Sequence, residues 1–162
     1  MGVDFPEVFM NFILKFLLST LLLSTLSSNC LADVLLKDTQ GQSTAFSTLK
    51  GKWVVLNYWA GWCQSCVDEI PELNRFYQNH KNDPIALFAV NYDNLPLFRQ
   101  KSLIKRFNID YPNLLQDPAN ELRLGDITGI PVTFIFNPKG ELVKKLFGPQ
   151  TTETLDQVIA MK

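Results

Sequence analysis

Two cysteines separated by two residues are the side chains of this sequence best suited to chemistry. Cys63 and Cys66 follow the apolar, β-rich run 53–59 and stand at the start of a segment with helical spacing of apolar residues. In the first turn of a helix, two thiols with this spacing can come within disulfide distance. The helix N-terminus also stabilises a thiolate on the first of them. The pattern predicts a redox-active dithiol, with Cys63 as the exposed nucleophile and Cys66 as the resolving thiol.

Zinc binding and a purely structural disulfide are the competing interpretations of this pair. A closed structural zinc site needs four ligands. The only other cysteine is Cys30, in a predicted targeting segment, and the only histidine is His80. A full set of cysteine or histidine ligands is therefore missing from a single chain. A structural disulfide with this spacing closes so small a loop that it removes little entropy from the unfolded state. The redox interpretation is favoured over both.

Residues 1–32 are predicted to be a signal peptide. A short basic region ending at Lys15 precedes the apolar run 16–26, which contains serine and threonine. The run is shorter than the roughly 20 apolar residues that span a bilayer. An uncleaved anchor over residues 12–26 is the alternative, although Lys15 lies within that span.

The translational start is a separate question. Residues 1–9 contain Asp4 and Glu7 and no basic residue, whereas the residues from Met10 onward form a signal peptide without them. We therefore hypothesise that Met10 is the start used in the cell.

Cleavage after Ala32 would release a mature chain that begins at Asp33 and lacks Cys30. Cys30 and Ala32 place small residues at the two positions that a signal peptidase reads. In the alternative, Cys30 carries a lipid, although Asn29 stands where a lipoprotein signal usually has Gly, Ala or Ser. A membrane tether would then exist only if the signal segment or this lipid is retained.

Residues 33–162 suit one domain with a single core. The sequence has 15 basic and 16 acidic residues, a formal net charge of −1. Such a balance gives no indication of a nucleic-acid partner or of an anionic membrane surface.

The order of predicted elements in this domain is that of an α/β fold. The buried runs 53–59 and 85–91, joined by a helix, predict parallel neighbours. The turn at 137–140 predicts an antiparallel hairpin, and Pro71 is predicted to kink the helix that contains it. Strands are predicted at 34–37, 43–46, 53–59, 85–91, 113–115, 132–136 and 142–147, with helices after Cys66, at 95–107, at 119–124 and after a cap at Thr151 or Thr152.

This arrangement resembles the thioredoxin fold. A strand leads into Trp62-Cys63-x-x-Cys66 and a helix, and Gly129-Ile130-Pro131 later opens a strand. The early hairpin, the extra helix after Asn91 and the 137–140 turn resemble more narrowly the secreted thiol-disulfide oxidoreductases of the TlpA, ResA and CcmG type. The resemblance covers about residues 34–160. It implies an α/β, thioredoxin-like fold, with a central mixed β-sheet flanked by helices, an N-terminal β-hairpin and a central helical insertion.

The resemblance also implies roles for individual residues. Cys63 matches the attacking cysteine of the family, Cys66 the buried resolving cysteine, and Pro131 the cis-proline that faces the disulfide. Glu69 matches an acidic position implicated in proton handling. The alternative interpretation of Glu69 is an ordinary solvated residue, since acidic side chains are favoured near a helix N-terminus.

Two departures from the family pattern affect this site. Asn57 stands where cytoplasmic thioredoxins have a buried aspartate, so that proton acceptor is absent. Gln64 and Ser65 replace the more usual pair ending in proline, which leaves the redox potential open.

Three further residues have weaker assignments. Trp62 and Ile130 flank the matched cysteine and proline, and we expect them to shape the substrate site, although Trp62 could be only a rim aromatic. His80 lies in a polar turn beside Lys81 and is expected to face solvent without a function.

The function predicted from these residues is that of an exported, periplasmic thiol-disulfide oxidoreductase that reduces selected clients and needs no cofactor. Its partners would be a client protein with a disulfide or dithiol and a membrane thiol reductase as electron donor. A membrane-anchored protein facing the periplasm is the alternative location. One alternative function is that of a thiol peroxidase, which needs a single peroxidatic cysteine. The other is that of a copper chaperone, because copper carriers of this fold are similar but have a Cys-x-x-x-Cys motif and a distant histidine.

Overall fold

A computed structural model describes residues 33–160 of this chain. Within them, seven strands and three α-helices alternate as an α/β domain. The strands are β1 (Leu35–Lys37), β2 (Ser43–Ala45), β3 (Trp53–Trp59), β4 (Ile85–Asn91), β5 (Asn113–Leu114), β6 (Val132–Phe136) and β7 (Leu142–Phe147), and the helices are α1 (Gln64–Asn79), α2 (Leu97–Phe107) and α3 (Thr152–Ala160).

The central sheet has five strands in the order β5-β4-β3-β6-β7. β3 and β4 are parallel, as are β4 and β5, whereas β6 is antiparallel to both β3 and β7. β1 and β2 form a separate antiparallel hairpin. The predicted mixed sheet, parallel crossover and two hairpins are thus confirmed.

β3 is buried on both faces, as its nearly continuous apolar sequence predicts. Val55 and Trp59 belong to a cluster that also contains side chains of α1 and α3. Val54, Leu56 and Tyr58 point to the opposite face and pack with residues of the N-terminal hairpin. Because β3 is central and rigid, the loop that follows it is held at a fixed edge of the sheet.

α2 lies against that loop. A Cβ atom at Gly61 would come within 3.1 Å of the Leu103 side chain, so glycine allows the loop to approach the helix closely. Trp59 and Phe107 are in edge-to-face contact, with ring centroids 6.1 Å apart. The inserted helix therefore supports the segment that leads to the cysteines.

The predicted helix at 95–107 was placed two residues too early. It begins at Leu97, after Pro96 in an extended N-cap conformation. A residue before proline is disfavoured in the α region, which keeps Leu95 outside the helix.

The helix predicted at 119–124 is wrong. This segment forms turns, and Leu122 N–H donates to the Pro118 carbonyl. Positive φ angles at Arg123 (54°) and Gly125 (73°) end the helical path, and so short a segment gains few hydrogen bonds to offset its ordering. Leu122 and Leu124 still pack into the core.

Several predictions are not tested by this structure. The signal peptide, the Met10 start and the lipidation of Cys30 concern residues outside the described range, so the boundary at residue 33 stays a prediction. The kink at Pro71 also stays a prediction, since α1 contains Pro71 as a single helix. Within residues 33–160, no helix is both long enough and apolar enough to span a bilayer.

The prediction that His80 merely faces solvent is wrong. Its side chain is only 21% exposed, and its Nδ1 and Nε2 lie 2.7 Å from carboxylate oxygens of Asp83 and Asp156. The ring packs on Phe76 at 4.7 Å between centroids. His80 is the C-cap residue of α1 and Asp156 belongs to α3, so the imidazole ties the two helices together. Sequence proximity to Lys81 gave no sign of this contact.

His80 should stabilise the fold in a pH-dependent way. Burial by itself lowers the pKa of His80, but the hydrogen bonds and charges of Asp83 and Asp156 outweigh it and raise the pKa above its usual value. The stabilisation is fully present below the unfolded-state pKa of about 6.5 and is lost as the pH rises through the folded-state pKa. We expect His80→Gln to lower the free energy of unfolding, measured in urea, more at pH 5.5 than at pH 9, by about 1 kcal/mol or less. Lys81→Gln is the control, and an equal loss at both pH values would contradict this assignment.

Candidate active site

The two cysteines stand at the N-terminus of α1. Cys63 is the N-cap residue, with φ −87° and ψ 102°, and Cys66 lies in the first turn. They form a disulfide with their Cα atoms 5.3 Å apart. Cys63 is 7% exposed and Cys66 is fully buried. The predicted pairing is present in the structure, and only the first sulfur is near the surface.

Three polar groups surround the Cys63 sulfur. The Cys66 N–H donates to Cys63 Sγ at 3.2 Å, and Ser65 Oγ lies 3.5 Å from the same sulfur. The Ile130 carbonyl oxygen lies 3.9 Å away, next to the cis Ile130-Pro131 peptide bond. The loop before β6 therefore faces the cysteine pair, as the family resemblance implied. The Cys66 N–H group belongs to the first turn of the helix and has no carbonyl acceptor within it, so it is suited to stabilising negative charge on the sulfur.

Trp62, the residue before Cys63, is an exposed aromatic side chain. It is 67% exposed, and its Nε1–H donates to both carboxylate oxygens of Asp93 at 3.0 Å. Its ring also meets Tyr92 edge to face at 6.5 Å between centroids. β3 and β4 are parallel, so the loops after them share one edge of the sheet. Trp62 is therefore anchored in place although it is mostly exposed.

Glu69 lies one helical turn after Cys66 and is 2% exposed. Positions three residues apart on a helix share a face, so its carboxyl group lies on the Cys66 side of α1. Its Oε1 accepts a hydrogen bond from Asn57 Nδ2 at 2.9 Å, and its Oε2 accepts one from Gln150 N–H at 2.8 Å. The alternative of a solvated surface residue is thus excluded for Glu69.

Burial raises the pKa of Glu69 to about 7. The hydrogen bonds from Gln150 and Asn57 stabilise the charged form and limit this rise. A carboxyl group with a pKa near neutrality can both take up and release a proton at physiological pH. The site thus combines a dithiol with a buried acid that can exchange protons.

The sulfur atoms of this site are the donors that a metal ion would use. Cys63 and Cys66 are bonded to each other in this state, so neither offers a free thiolate. Across residues 33–160, no group of three or more His, Cys, Asp or Glu side chains is placed to hold an ion.

Several residues of the site were missed or undervalued by sequence reasoning. Asp93 is the second residue after β4, and the shared edge of parallel strands could have indicated it. Thr133 accepts a hydrogen bond from Asn57 across β3 and β6, but nothing in its sequence context indicates this role. Gln150 contributes its backbone N–H, a group that residue type does not reveal.

Comparisons with known proteins agree with this geometry. A model of the AhpC/TSA family matches residues 28–145. ResA of Bacillus subtilis (strain 168), a thiol-disulfide oxidoreductase, is 33% identical over 116 residues, which are 72% of this chain and 64% of ResA. Sporulation thiol-disulfide oxidoreductase A of the same strain is 31% identical over 125 residues, 76% of this chain and 75% of that protein. This chain therefore spans slightly less than two thirds of the length of ResA.

A solved structure shows the same fold. The crystal structure of StoA from Bacillus subtilis superposes with a TM-score of 0.66 and 30% identity, covering 78% of this chain and 95% of StoA. The fold class and the resemblance predicted from the sequence are confirmed by these similarities.

The two cysteines should differ when each is replaced. Because only Cys63 is placed for attack, Cys66→Ser should accumulate mixed disulfides with a client, whereas Cys63→Ser should form none. Both variants should lose turnover. Non-reducing electrophoresis after reaction with a disulfide client measures the adducts, and Ser65→Ala, which keeps both thiols, is the control. Adducts on the Cys63→Ser variant would reverse the order of the two thiols.

Replacement of Glu69 should change how stability depends on pH. A pKa of about 7 in the folded protein, against an ordinary value of 4.5, means that the fold loses stability as the pH rises through this interval. Relative to Glu69→Gln, the wild type should lose about 2.5 kcal/mol of unfolding free energy between pH 5 and pH 8. Urea titrations at the two pH values measure this difference.

Glu72→Gln is the matched control for that experiment. Glu72 also binds the start of α3, but hydrogen bonds from Thr152 lower its pKa. Its charge is therefore constant between pH 5 and pH 8. A Glu69→Gln variant that behaves like Glu72→Gln would show that Glu69 does not titrate near neutrality.

Proposed function

We propose that this chain, which belongs to the AhpC/TSA family as a thiol-disulfide oxidoreductase of the ResA and StoA type, is exported and reduces the disulfides of selected client proteins. The observation that carries this proposal is the asymmetry of the cysteine pair at the start of α1. Cys63 reaches the surface between Trp62 and the Ile130 carbonyl, while Cys66 is buried behind it. Such a pair suits attack on a partner by the first sulfur and release of that partner by the second.

The reaction begins from the reduced dithiol. The Cys63 thiolate attacks one sulfur of a client disulfide, the client S–S bond breaks, and the second client sulfur leaves as a thiolate that takes up a proton. The product is a mixed disulfide between Cys63 and the client. The hydrogen bond from Cys66 N–H to Cys63 Sγ is placed to stabilise the negative charge of the attacking thiolate.

Resolution returns the enzyme to the state of this structure. The Cys66 thiol gives its proton to the Glu69 carboxylate, and its thiolate attacks Cys63 Sγ. The Cys63–Cys66 bond forms, and the remaining client sulfur leaves as a thiolate that accepts a proton. Two electrons have then passed from the dithiol to the client. A buried carboxyl group with a pKa of about 7 supports this role for Glu69.

Client selectivity would arise at the rim of the site. Because Cys63 is only 7% exposed, a client must bring its disulfide close to Trp62 and Ile130. Trp62 is held by Asp93 and Tyr92, so its ring presents a shape that is fixed before binding. A preorganised aromatic surface favours some partners over others at low entropic cost.

The proposed direction of electron transfer is supported by the absence of charge on the two residues that follow Cys63. Gln64 and Ser65 are neutral, so the Cys63 thiolate owes its stability mainly to the helix N-terminus, a modest effect. A weakly stabilised thiolate favours the disulfide and hence a reducing potential. A membrane thiol reductase would then have to regenerate the dithiol.

The location outside the cytoplasm is supported by the signal-like character of residues 1–32. We propose a periplasmic protein released at Asp33, with a retained anchor or a lipid on Cys30 as the alternatives. Intact mass of the exported protein distinguishes the three N-termini.

The redox potential tests the proposed direction. Equilibration of the purified protein with glutathione buffers should give a potential nearer to that of reducing members of this fold, about −270 mV, than to about −120 mV for strong oxidants. The fraction of disulfide is read by thiol alkylation and mass spectrometry. The Cys63→Ser variant is the control, because it cannot form the pair.

A potential close to −120 mV would make the protein an oxidant. Reduction of insulin under anaerobic conditions, compared with a copper titration, separates the enzyme from the copper chaperone. Failure to reduce insulin or any disulfide client, together with tight copper binding, would overturn the proposed function.

A further inference from the structure

A buried amide faces the buried acid of this site. Asn57 is 1% exposed and lies on β3, where its Nδ2 donates to Glu69 Oε1 at 2.9 Å and to Thr133 Oγ1 at 3.1 Å. Thr133 is fully buried and is the β6 residue paired with Asn57 in the sheet. Three elements, β3, α1 and β6, therefore meet at one amide group. Resting on the proposed function, we propose that Asn57 is a positioning residue that sets the pH at which Glu69 exchanges a proton with the cysteine pair.

Only one end of this amide is paired. Its Oδ1 atom is buried and has no hydrogen-bond partner. A buried acceptor without a partner is unfavourable, whereas Nδ2 donates to two buried acceptors that an apolar side chain would leave without this donor. The contribution of Asn57 to the site is therefore made by its donor group.

The donor group acts on the charged form of Glu69. A hydrogen bond to a carboxylate stabilises the charge and opposes the effect of burial. The second donor to Glu69 is the Gln150 backbone N–H, on the other carboxylate oxygen. The carboxylate thus accepts two hydrogen bonds, of which Asn57 donates the one that comes from a side chain.

The observed orientation of the amide suits a carboxylate, because Nδ2 donates and a carboxylate oxygen accepts. An aspartate at residue 57 would instead add a second negative charge beside Glu69.

The other groups around Glu69 leave this role to Asn57. Burial raises the pKa of the Tyr111 phenol, and the charge of Glu69 adds to this effect. Cys66 lies one turn before Glu69, and Glu72 lies one turn after it, bound to Thr152. Among the described residues, no cationic side chain is a cause of the shift in the pKa of Glu69. The hydrogen bonds from Asn57 and Gln150 are therefore the interactions that favour its charged form.

The test follows the carboxyl group itself. In the oxidised protein, ¹³C NMR of the Glu69 side chain should give a titration midpoint that rises by about one pH unit in Asn57→Leu. Thr133→Val is the matched control, because it removes the other acceptor of Asn57 and leaves the bond to Glu69, so its midpoint should match wild type. An unchanged midpoint in folded Asn57→Leu would overturn the proposal.

A second variant keeps the proposal testable if Asn57→Leu does not fold. Asn57→Asp places a second carboxyl group beside Glu69, so the pair should titrate in two coupled steps. A single step at the wild-type midpoint would overturn the proposal.

A kinetic experiment separates this inference from the proposed function. The pH profile of client reduction should move in Asn57→Leu in the same direction as the NMR midpoint, and it should not move when the same substitution is made in Glu69→Gln. If the wild type reduces clients but the Asn57→Leu profile and midpoint are unchanged, Asn57 has no such role and the proposed function stands. If the wild type reduces no disulfide at any pH, the proposed function fails while the NMR titration still reports on Asn57.

Discussion

The contact on which this site depends is the one between the first turn of α1 and the sulfur of Cys63. It exists only if the helix begins at the residue after Cys63, because the N–H group of Cys66 then points back at that sulfur. The position of the helix is in turn fixed by the burial of Ile70, Leu73 and Phe76 against the sheet. Packing of an apolar helix face thus places a donor where the chemistry needs one.

The core around this contact is not optimised for stability. Glu69 and Asn57 occupy buried positions that apolar residues would fill at lower cost, and the amide leaves one acceptor unpaired. Trp59 also has a buried Nε1 without a partner. Proteins tolerate such departures from good packing chiefly where function uses them. Two of the three lie on β3, the strand that leads to the cysteines.

Much of this molecule could be predicted because local and long-range signals agree. The continuous apolar runs at β3 and β4, the turn before β7 and the cysteine spacing each indicate one structure. The prediction of a helix at 119–124 failed because the apolar residues of this segment pack into the core without forming a helix. The prediction that His80 faces solvent failed because Asp156 is distant in sequence and comes close only when α3 packs against α1.

The hydrogen-bond partners of Glu69 could not be predicted from the sequence, for a different reason. Asn57 was recognisable as a departure from a pattern, but its hydrogen bond to Glu69 requires the register between β3 and α1. The Gln150 contact uses a backbone group, which carries no residue-specific signal. Burial of the carboxyl group, which decides its pKa, is a property of the assembled core and not of helix spacing.

The attachment of α3 to α1 links chemistry to the order of folding. Gln150 and Thr152 bind Glu69 and Glu72 across sequence separations of 81 and 80 residues. Contacts between such distant residues require closure of a long chain segment. A polypeptide emerging from the ribosome therefore contains both thiols well before the segment that binds Glu69. During that interval, Glu69 would lack the hydrogen bond from Gln150, so the buried environment of this acid would be completed last.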